Sequence, residues 1–499
     1  MKIKVHEKIQ IGQLLKKIFS ENWDDIFLID SIKEEQITYM EFFYRIKKYQ
    51  EELEYRGLKK DDTICVILHN SIDLLCLYFS CLFLQITIVP IDPDKNSNEI
   101  NEILSEIEYD LLITNNEISM EIKEINLNDI NSVTSKSVST NDLNLFESID
   151  YDFPYLITFT SGTTGIPKGV IHSFSNLVSS ALAFQKKFNF NKSNIFYHNL
   201  SMTYMAGILN LIILPLICES KIVIGEKFKI SEIMNFWNIP KQYNVNTFWF
   251  IPTLISLLLK LDRGQLGISY TKKNKIIGCI GTAPLDHTIK VSFEKKYGMK
   301  LFESYGLSET LFVSTNFPSE FEDKTTGQLL DDVKLDFLDD GEILIKTPWM
   351  FLDYKNFNSK KFFKGGYYLS GDIGEINHQG FLSITNRKKD LIIKGGINLS
   401  PKKIEDYIKK SNFFHEVVVI GIKNEVIGEK IVCFYVIDQN EFNTAIKKKL
   451  NHEIISNLGK NYEIDQFVRI DEIPKNTNGK IDKPKILDFY MNINNDFRS

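Results

Sequence analysis

Cysteine is scarce in this sequence of 499 residues, and it never occurs at a spacing that indicates a bond or a metal site. There is no CxxC pair, and no histidine lies near a cysteine at the spacing of zinc ligands. Single cysteines in apolar surroundings are typical of buried thiols in a reducing compartment. We therefore expect a cytoplasmic protein with free thiols at Cys65, Cys76, Cys81, Cys218, Cys279 and Cys433.

Long apolar runs are also missing. The two most apolar stretches, 74–84 and 208–218, are shorter than the roughly 20 residues that a membrane-spanning helix needs. The first ten residues are polar and lack the continuous apolar core of a signal peptide. The sequence therefore predicts no integral membrane segment and no export.

Neither sign of charge is in large excess. The 65 acidic and 59 basic residues give a net charge of -6, and no long block of like charges occurs. Nucleic acid is therefore not an expected partner. Hydrophobic residues at 43% and charged residues at 25% are typical of a globular enzyme, and the length is sufficient for at least two domains.

The order of apolar patterns predicts an α/β fold. An apolar run at 63–68, a helical pattern at 73–84 and a second apolar run at 87–91 indicate a parallel α/β layer. The alternation of predicted strands and helices resumes after residue 155. After about residue 340 the patterns predict mostly strands, and beyond residue 390 they predict a separate α+β unit. The intervening stretch 115–144 contains neither glycine nor proline and predicts variable surface structure.

A strong local signal for chemistry is the stretch LITFTSGTTGIPKGV, residues 156–170, which follows an apolar strand. Glycines allow backbone N–H groups to converge on an anion, and hydroxyls and a lysine add further donors. It is not a Walker A loop, because Lys168 lies between Pro167 and Gly169. A turn rich in serine, threonine and glycine is the alternative interpretation. The candidate phosphate ligands are Thr160, Ser161, Gly162, Thr163, Thr164, Gly165 and Lys168.

This segment resembles the signature loop of the adenylate-forming superfamily, which includes acyl-CoA synthetases, peptide-synthetase adenylation domains and luciferases. The resemblance implies that the loop binds the triphosphate of ATP. It also implies a large N-terminal AMP-binding domain at 1–386, with α/β layers and a β-rich subdomain. A hinge at 387–390, with Lys389 at the hinge position, and a small mobile α+β domain at 391–499 would follow.

Two further motifs occur downstream in the order that the resemblance requires. The loop GTAPL at 281–285 is similar to the loop beside adenine, which implies a role for Gly281, Thr282, Ala283 and Pro284. The stretch ESYGLSET at 303–310 resembles the motif that holds adenine, the α-phosphate and Mg²⁺. It implies that Tyr305 lies against adenine, that Gly306 also belongs to the nucleotide site, that Ser308 lies near the α-phosphate, and that Glu309 is a catalytic residue and the magnesium ligand.

The remaining motifs lie toward the C-terminus. Asp372, in YLSGDIG, and Arg387, in NRKKD, would bind the ribose, and Asn386 stands where the family more often has glycine or aspartate. Lys480, in PKNTNGKID, would be the catalytic lysine that enters the site for adenylation. Taken alone, each of these three motifs would be a turn or a solvated charge.

The resemblance implies an AMP-forming ligase that uses ATP and Mg²⁺. It would activate a small-molecule carboxylic acid to an acyl-adenylate and pass the acyl group to a phosphopantetheine thiol, on coenzyme A or an acyl carrier protein. The missing carboxylate in the acid region argues against an α-amino acid and favours an aliphatic or aryl acid. The implied acyl-pocket residues are Tyr204, Met205, Gly207, Phe250 and Ile280.

Two alternatives from other function classes remain open at this point. One is an amino-acid-activating enzyme that loads a carrier protein. The other is a non-catalytic nucleotide-binding relative, which is disfavoured because Lys168, Glu309, Asp372 and Lys480 are all present.

Overall fold

The computed structural model describes residues 11–114, 124–126, 138–160, 167–395, 397–410, 414–424, 427–437, 442–475 and 481–496. The chain divides into two compact units. Unit 1 comprises Met1–Leu335 and Ile345–Tyr368, and unit 2 comprises Asp336–Leu344 and Leu369–Ser499. This division falls before the predicted hinge at 387–390, whose role in movement remains a prediction.

The helices are named in chain order. They are α1 (Ile11–Glu21), α2 (Tyr39–Tyr55), α3 (Ile72–Leu84), α4 (Ser97–Ser105), α5 (Phe174–Phe188), α6 (Met205–Ile208), α7 (Leu214–Ile217), α8 (Asn238–Gln242), α9 (Pro252–Leu261), α10 (Leu266–Lys273), α11 (His287–Tyr297), α12 (Pro401–Lys409), α13 (Thr444–Leu458) and α14 (Lys483–Asp496).

Unit 1 contains a nine-stranded sheet with a parallel centre. Its strand order is β15-β14-β13-β12-β11-β9-β10-β1-β2, and β2, β14 and β15 join in antiparallel fashion. The strands are β1 (Ile26–Asp30), β2 (Glu35–Thr38), β9 (Ile195–His198), β10 (Lys221–Ile224), β11 (Thr247–Phe250), β12 (Ile277–Ile280), β13 (Leu301–Leu307), β14 (Leu311–Thr315) and β15 (Gln328–Leu329).

A second, seven-stranded sheet of unit 1 has the order β18-β8-β7-β4-β3-β5-β6. Its strands are β3 (Thr63–Ile67), β4 (Thr87–Pro90), β5 (Leu111–Thr114), β6 (Glu124–Asn126), β7 (Leu156–Thr160), β8 (Lys168–His172) and β18 (Asp353–Lys355). The strands β3 to β7 run parallel, whereas β8 is antiparallel to both β7 and β18.

A third sheet has the order β16-β17-β20-β19, with β21 paired to β20. Its strands are β16 (Lys334–Phe337), β17 (Glu342–Lys346), β19 (Phe363–Lys364), β20 (Tyr367–Ile376) and β21 (Leu382–Arg387).

Unit 2 has its own sheet and its own hydrophobic core. The strand order is β23-β22-β25-β24, and β26 pairs with β25. Alternate residues of β24 and β25 point to opposite faces, so Val417 and Ile431 belong to one core cluster, and Val418 and Val432 belong to another. The strands are β22 (Ile392–Lys394), β23 (Ile397–Leu399), β24 (Glu416–Asn424), β25 (Gly428–Val436) and β26 (Gln466–Arg469).

Local sequence explains several helix boundaries. At the start of α2, the Thr38 hydroxyl accepts a hydrogen bond from the backbone N–H of Glu41, and the Glu41 carboxylate accepts one from the backbone N–H of Thr38. This pair of bonds is a capping box. Apart from Asp73 and Ser80, helix α3 is apolar, and it is buried from Ile72 to Phe83, as expected for a helix packed on every side. Pro401 at the first turn of α12 follows the Ser400 cap.

The α/β fold class predicted from the sequence is confirmed. The predicted strand, helix and strand of 63–91 are β3, α3 and β4. All six cysteines are free and buried, as predicted. No helix within the described residues is long and apolar enough to cross a bilayer. Most of the predicted variable stretch 115–144 lies outside the described residues.

Candidate active site

The two ends of the predicted phosphate loop lie opposite each other. Thr160 is the last residue of β7 and pairs across the antiparallel ladder with Lys168, the first residue of β8. The loop therefore leaves the seven-stranded sheet at the end of β7 and re-enters it at the start of the neighbouring strand β8. Its other predicted ligands, Ser161, Gly162, Thr163, Thr164 and Gly165, lie outside the described residues, and their role remains a prediction.

Lys168 is buried among aromatic rings. Its side chain belongs to a residue that is only 9% exposed, and its ammonium lies 4.1 Å from the ring centroid of Phe362. The rings of Tyr354 and Phe357 are 5.6 and 5.7 Å away. Within the described part of the chain, this ammonium lies over three aromatic rings. A buried cation is costly unless it is paired, so this environment suits a lysine that binds an anion.

Glu309 is held by a tyrosine from a distant part of the chain. The hydroxyl of Tyr354 donates to Oε1 of Glu309 at 2.7 Å and lies 2.8 Å from the hydroxyl of Tyr368. Burial and the negative charge of Glu309 raise the pKa of Tyr354, so the phenol stays protonated and remains a donor. Tyr354 thus touches both Lys168 and Glu309, which are 141 positions apart in the sequence.

His172 fixes the turn that precedes Glu309. Lys168, Val170 and His172 are alternate residues of β8, so their side chains share one face of the strand. The Nε2 atom of His172 lies 2.6 Å from the carbonyl oxygen of Ser308, to which it donates. Burial lowers the pKa of His172 to about 4, so the ring is neutral at pH 7. One face of β8 therefore positions both the lysine and the Ser308–Glu309 turn.

The predicted adenine motifs lie at the ends of neighbouring strands. Gly281, Thr282, Ala283 and Pro284 follow β12, and Tyr305 and Gly306 lie in β13, where the pairing with β14 shifts register. A Cβ placed on Gly281 would lie 3.3 Å from the carbonyl oxygen of Ser304, so the loop approaches β13 closely. Thr282 has φ of 73°, an uncommon backbone conformation for a β-branched residue and one that clusters at ligand sites.

In unit 2, the predicted ribose residues pair with each other. Asp372 and Arg387 are opposite in the β20–β21 ladder, and Nε of Arg387 lies 3.0 Å from Oδ1 of Asp372. Asp372 is only 2% exposed, whereas the Arg387 side chain is 46% exposed. The carboxylate is thus oriented by the arginine beside it.

The predicted hinge region contains three further ion pairs of unit 2. Lys388 donates to Glu342 at 2.7 Å and pairs with Asp340 at the same distance, and these acids raise its pKa. Asp390 pairs with Lys483 at 2.8 Å. Lys389, the predicted hinge residue, is exposed. Lys480 lies outside the described residues, so its catalytic role remains a prediction.

Part of the predicted acyl region forms a tight turn. Tyr204 precedes the short helix α6, in which Met205 and Gly207 are buried. His198, at the end of β9, lies with Nε2 3.1 Å from the carbonyl oxygen of Gly207. A Cβ on Gly207 would lie 1.9 Å from the carbonyl oxygen of Ser201, which explains the need for glycine at this position.

Phe250 and Ile280 pack differently from the other predicted acyl residues. They are register partners on β11 and β12 and belong to the hydrophobic core cluster that includes Phe248 and Phe293. Because side chains alternate along a strand, they face away from the side that carries His198. Their packing is that of core residues, and their assignment to the acyl pocket remains a prediction.

The sequence motifs did not single out Tyr354 or His172. Tyr354 lies in the short strand β18, where nothing in the local sequence indicates contact with Glu309. His172 was more accessible to prediction, since it stands four residues after Lys168 in an apolar strand and therefore on the same face.

Glu309 fits a magnesium ligand of the kind that acts together with phosphates. Among the described residues, no group of three or more His, Cys, Asp or Glu side chains could hold a metal ion. Mg²⁺ is commonly held by one or two carboxylates together with phosphate oxygens and water. A single carboxylate, oriented by the Tyr354 hydroxyl, agrees with that arrangement.

Comparisons with known proteins agree with this geometry. The family model "AMP-binding enzyme" matches residues 17–355, and "AMP-binding enzyme C-terminal domain" matches residues 403–480. A 2-succinylbenzoate–CoA ligase of Oceanobacillus iheyensis is 25% identical over 461 residues, covering 89% of this chain and 92% of that protein. The corresponding ligase of Listeria monocytogenes is 30% identical over 349 residues, covering 68% of this chain and 71% of its own length.

A solved structure gives the same fold. The o-succinylbenzoate CoA synthetase of Bacillus subtilis, in complex with its acyl-adenylate intermediate, superimposes with a TM-score of 0.79 at 22% identity. The match covers 94% of this chain and 96% of that one. The family match spans more than half of the chain and includes the elements that carry Lys168 and Glu309. The chain therefore belongs to the AMP-binding enzyme family and is an AMP-forming ligase that joins a carboxylic acid to a thiol.

Proposed function

We propose that this ligase activates an aryl acid of the 2-succinylbenzoate type with ATP and then transfers the acyl group to coenzyme A. The Oceanobacillus and Listeria relatives are 2-succinylbenzoate–CoA ligases, which supports this acid and this acceptor. Coenzyme A is favoured over a carrier protein because both relatives use it. The apolar character of the acid region agrees with an aryl substrate.

The observation that carries adenylation is the position of Tyr354 between Lys168 and Glu309. Attack of a carboxylate on the α-phosphorus of ATP brings two anions together, and negative charge must be offset as it develops. Lys168, buried among aromatic rings, would bind a phosphate oxygen more strongly than an exposed lysine would. Glu309, oriented by Tyr354, would hold Mg²⁺, which neutralises phosphate charge when bound.

The other predicted residues would each act on a different part of the nucleotide. Tyr305, Gly306 and the loop 281–284 would contact adenine, and Ser308 would lie near the α-phosphate. In unit 2, Asp372 would accept hydrogen bonds from the ribose hydroxyls while Arg387 keeps its carboxylate oriented. Lys480 would lie between the acid and the α-phosphate during adenylation and leave when the thiol approaches.

ATP–pyrophosphate exchange tests this proposal directly, since it requires no thiol. Purified protein with Mg²⁺ is assayed against 2-succinylbenzoate, short and long aliphatic acids, other aryl acids and amino acids. We expect 2-succinylbenzoate to give the fastest exchange. Lys480→Ala should abolish exchange but leave thioester formation from supplied acyl-adenylate largely intact.

A matched control is available five residues before Lys480. Lys475 makes a surface ion pair with Glu416 at 2.8 Å, so Lys475→Ala removes a lysine from the same motif without touching the predicted chemistry. Exchange should survive in this variant. A preference for amino acids would support carrier-protein loading instead, and no exchange with any acid would contradict the ligase proposal.

A further inference from the structure

One buried tryptophan differs from the other two in its hydrogen bonding. Trp237, Trp249 and Trp349 are all at most 3% exposed. The indole N–H of Trp237 donates to Asp262 at 3.1 Å, and that of Trp349 donates to the carbonyl oxygen of Phe312 at 3.0 Å. Nε1 of Trp249 has no acceptor in the described part of the chain. A buried donor without a partner costs free energy, so its presence requires an explanation.

Register places Trp249 on the face of the nine-stranded sheet that also carries His198. Trp249 pairs with Cys279 and Phe248 pairs with Tyr197, so Trp249 shares a face with Cys279 and with His198. His198 contacts Gly207 of the predicted acyl region. Trp249 is the penultimate residue of β11, near the carboxyl end of the parallel strands, which is where α/β sheets bind ligands.

The indole N–H of Trp249 lies next to Gly281, which has no side chain. A Cβ on Gly281 would lie 3.7 Å from Nε1 and from Cζ2 of Trp249, and Gly281 begins the predicted adenine loop. The ring itself packs against Phe184 and Phe312, with centroids 5.4 and 5.5 Å away. The donor is therefore held rigidly by aromatic neighbours, and the backbone beside it is glycine.

We infer that the indole N–H of Trp249 selects the acid by donating to an uncharged carbonyl oxygen in its acyl group. This rests on the proposed function, because it assumes that the acid occupies the face carrying Trp249 and His198. A single neutral donor among aromatic rings suits a neutral acceptor, whereas a second carboxylate there would need more donors or a cation. The 2-succinylbenzoate molecule carries such a carbonyl, its keto group, between the ring and the reacting chain.

The test compares two acids that differ only at this oxygen. They are 2-succinylbenzoate and 4-(2-carboxyphenyl)butanoate, in which a CH₂ group replaces the keto carbonyl. We expect kcat/KM of the wild-type protein to favour the keto acid by roughly ten- to hundred-fold, as for a buried donor left unpaired. In Trp249→Phe, which keeps an aromatic ring but has no N–H, the ratio should fall to about two-fold or less.

Controls separate hydrogen bonding from packing. Trp237→Phe removes an indole N–H whose acceptor is inside the protein, and it should leave the ratio unchanged. If Trp249→Phe lowers kcat/KM by the same factor for the keto acid and its CH₂ analogue, Trp249 acts only through packing and the inference is wrong. A third acid, 4-oxo-4-phenylbutanoate, lacks the ring carboxylate but keeps the keto group. If Trp249→Phe changes only the kcat/KM ratio of 2-succinylbenzoate to 4-oxo-4-phenylbutanoate, the indole donates to the ring carboxylate and the inference is wrong.

A second readout uses the wild-type protein and so does not depend on the stability of the variant. In protein labelled with ¹⁵N-tryptophan, the indole N–H signal of Trp249 should shift downfield with the keto acid and not with its CH₂ analogue, while that of Trp237 stays in place. Exchange without any preference between the two acids would remove this inference and leave the ligase intact. No exchange with any acid would remove the proposed function and this inference with it.

Discussion

At the scale of single residues, the candidate site depends on groups that no motif names. Lys168 and Glu309 belong to recognisable patterns, but the side chain that joins them is Tyr354. Its hydroxyl is a protonated donor to a carboxylate, and bonds to charged groups are stronger than neutral ones. The orientation of Glu309 is therefore controlled by a residue whose importance appears only after folding.

Replacing Tyr354 by phenylalanine tests this dependence. Loss of a hydrogen bond to a charged group should lower the rate of ATP–pyrophosphate exchange by roughly ten- to hundred-fold and raise the Mg²⁺ concentration needed for half-maximal exchange. Tyr270→Phe is the control, because the Tyr270 hydroxyl donates to the carbonyl oxygen of Val245 in the core. An unchanged magnesium requirement in Tyr354→Phe would contradict a role through Glu309.

At the scale of the element, strand alternation decides what can reach a ligand. The α/β pattern predicted after residue 155 includes β11 at Thr247–Phe250. Within this strand, Phe248 and Phe250 point into the core while Trp249 points to the other face. An apolar triplet by itself does not reveal which face is the core, since that depends on the helices that pack against the sheet.

Helices and strands themselves were predictable where local chemistry is clear. The capping box at Thr38 and the proline after Ser400 mark the starts of α2 and α12. The contacts His172 to Ser308 and Tyr354 to Glu309 join residues 136 and 45 positions apart, so local sequence carries no signal for them. Long-range side-chain contacts account for most of what the sequence did not predict in the candidate site.

The turn at α6 provides a prediction at this scale. In Gly207→Ala the new methyl would lie 1.9 Å from the carbonyl oxygen of Ser201, so α6 must move and its contact with His198 must change. Because small displacements of a binding wall are costly, KM for the acid should rise by about ten- to hundred-fold while KM for ATP stays within about two-fold. Exchange kinetics with each substrate varied in turn measure both values.

A glycine elsewhere in unit 1 gives the control for this substitution. A Cβ on Gly264 would lie 3.3 Å from the Asp262 side chain and 4.0 Å from the backbone nitrogen of Leu266, which are ordinary or nearly ordinary contacts. Gly264→Ala should therefore leave both KM values unchanged. A parallel rise of both KM values in Gly207→Ala would indicate general destabilisation and not a local role in acid binding.

At the scale of the whole molecule, two buried histidines link the stability of unit 1 to pH. Burial lowers the pKa of both His172 and His198 to about 4, from 6.5. Between pH 6.5 and 4 the unfolded chain binds protons that the folded chain does not, so stability is full above pH 6.5 and falls as pH decreases toward 4. A shift of this size corresponds to roughly 3 kcal/mol for each histidine.

Urea unfolding at several pH values measures this effect. All four tryptophans lie in unit 1, so their fluorescence reports the unfolding of that unit alone. Glutamine at position 172 can still donate to the carbonyl oxygen of Ser308 but does not titrate. In His172→Gln, the decrease in unfolding free energy from pH 6.5 to 4 should therefore be smaller by the contribution of one of the two histidines. The same pH dependence in the variant and the wild type would contradict this assignment.

The burial of every cysteine has a practical consequence for the predicted movement at Lys389. Burial raises the pKa of all six thiols, so none of them should react readily with maleimide dyes in the folded protein. A cysteine placed at exposed Lys60 in unit 1 and another at exposed Lys448 in unit 2 would then be the two sites that take up a fluorophore pair. Energy transfer between the dyes could follow the units through each half-reaction without removal of a single native cysteine.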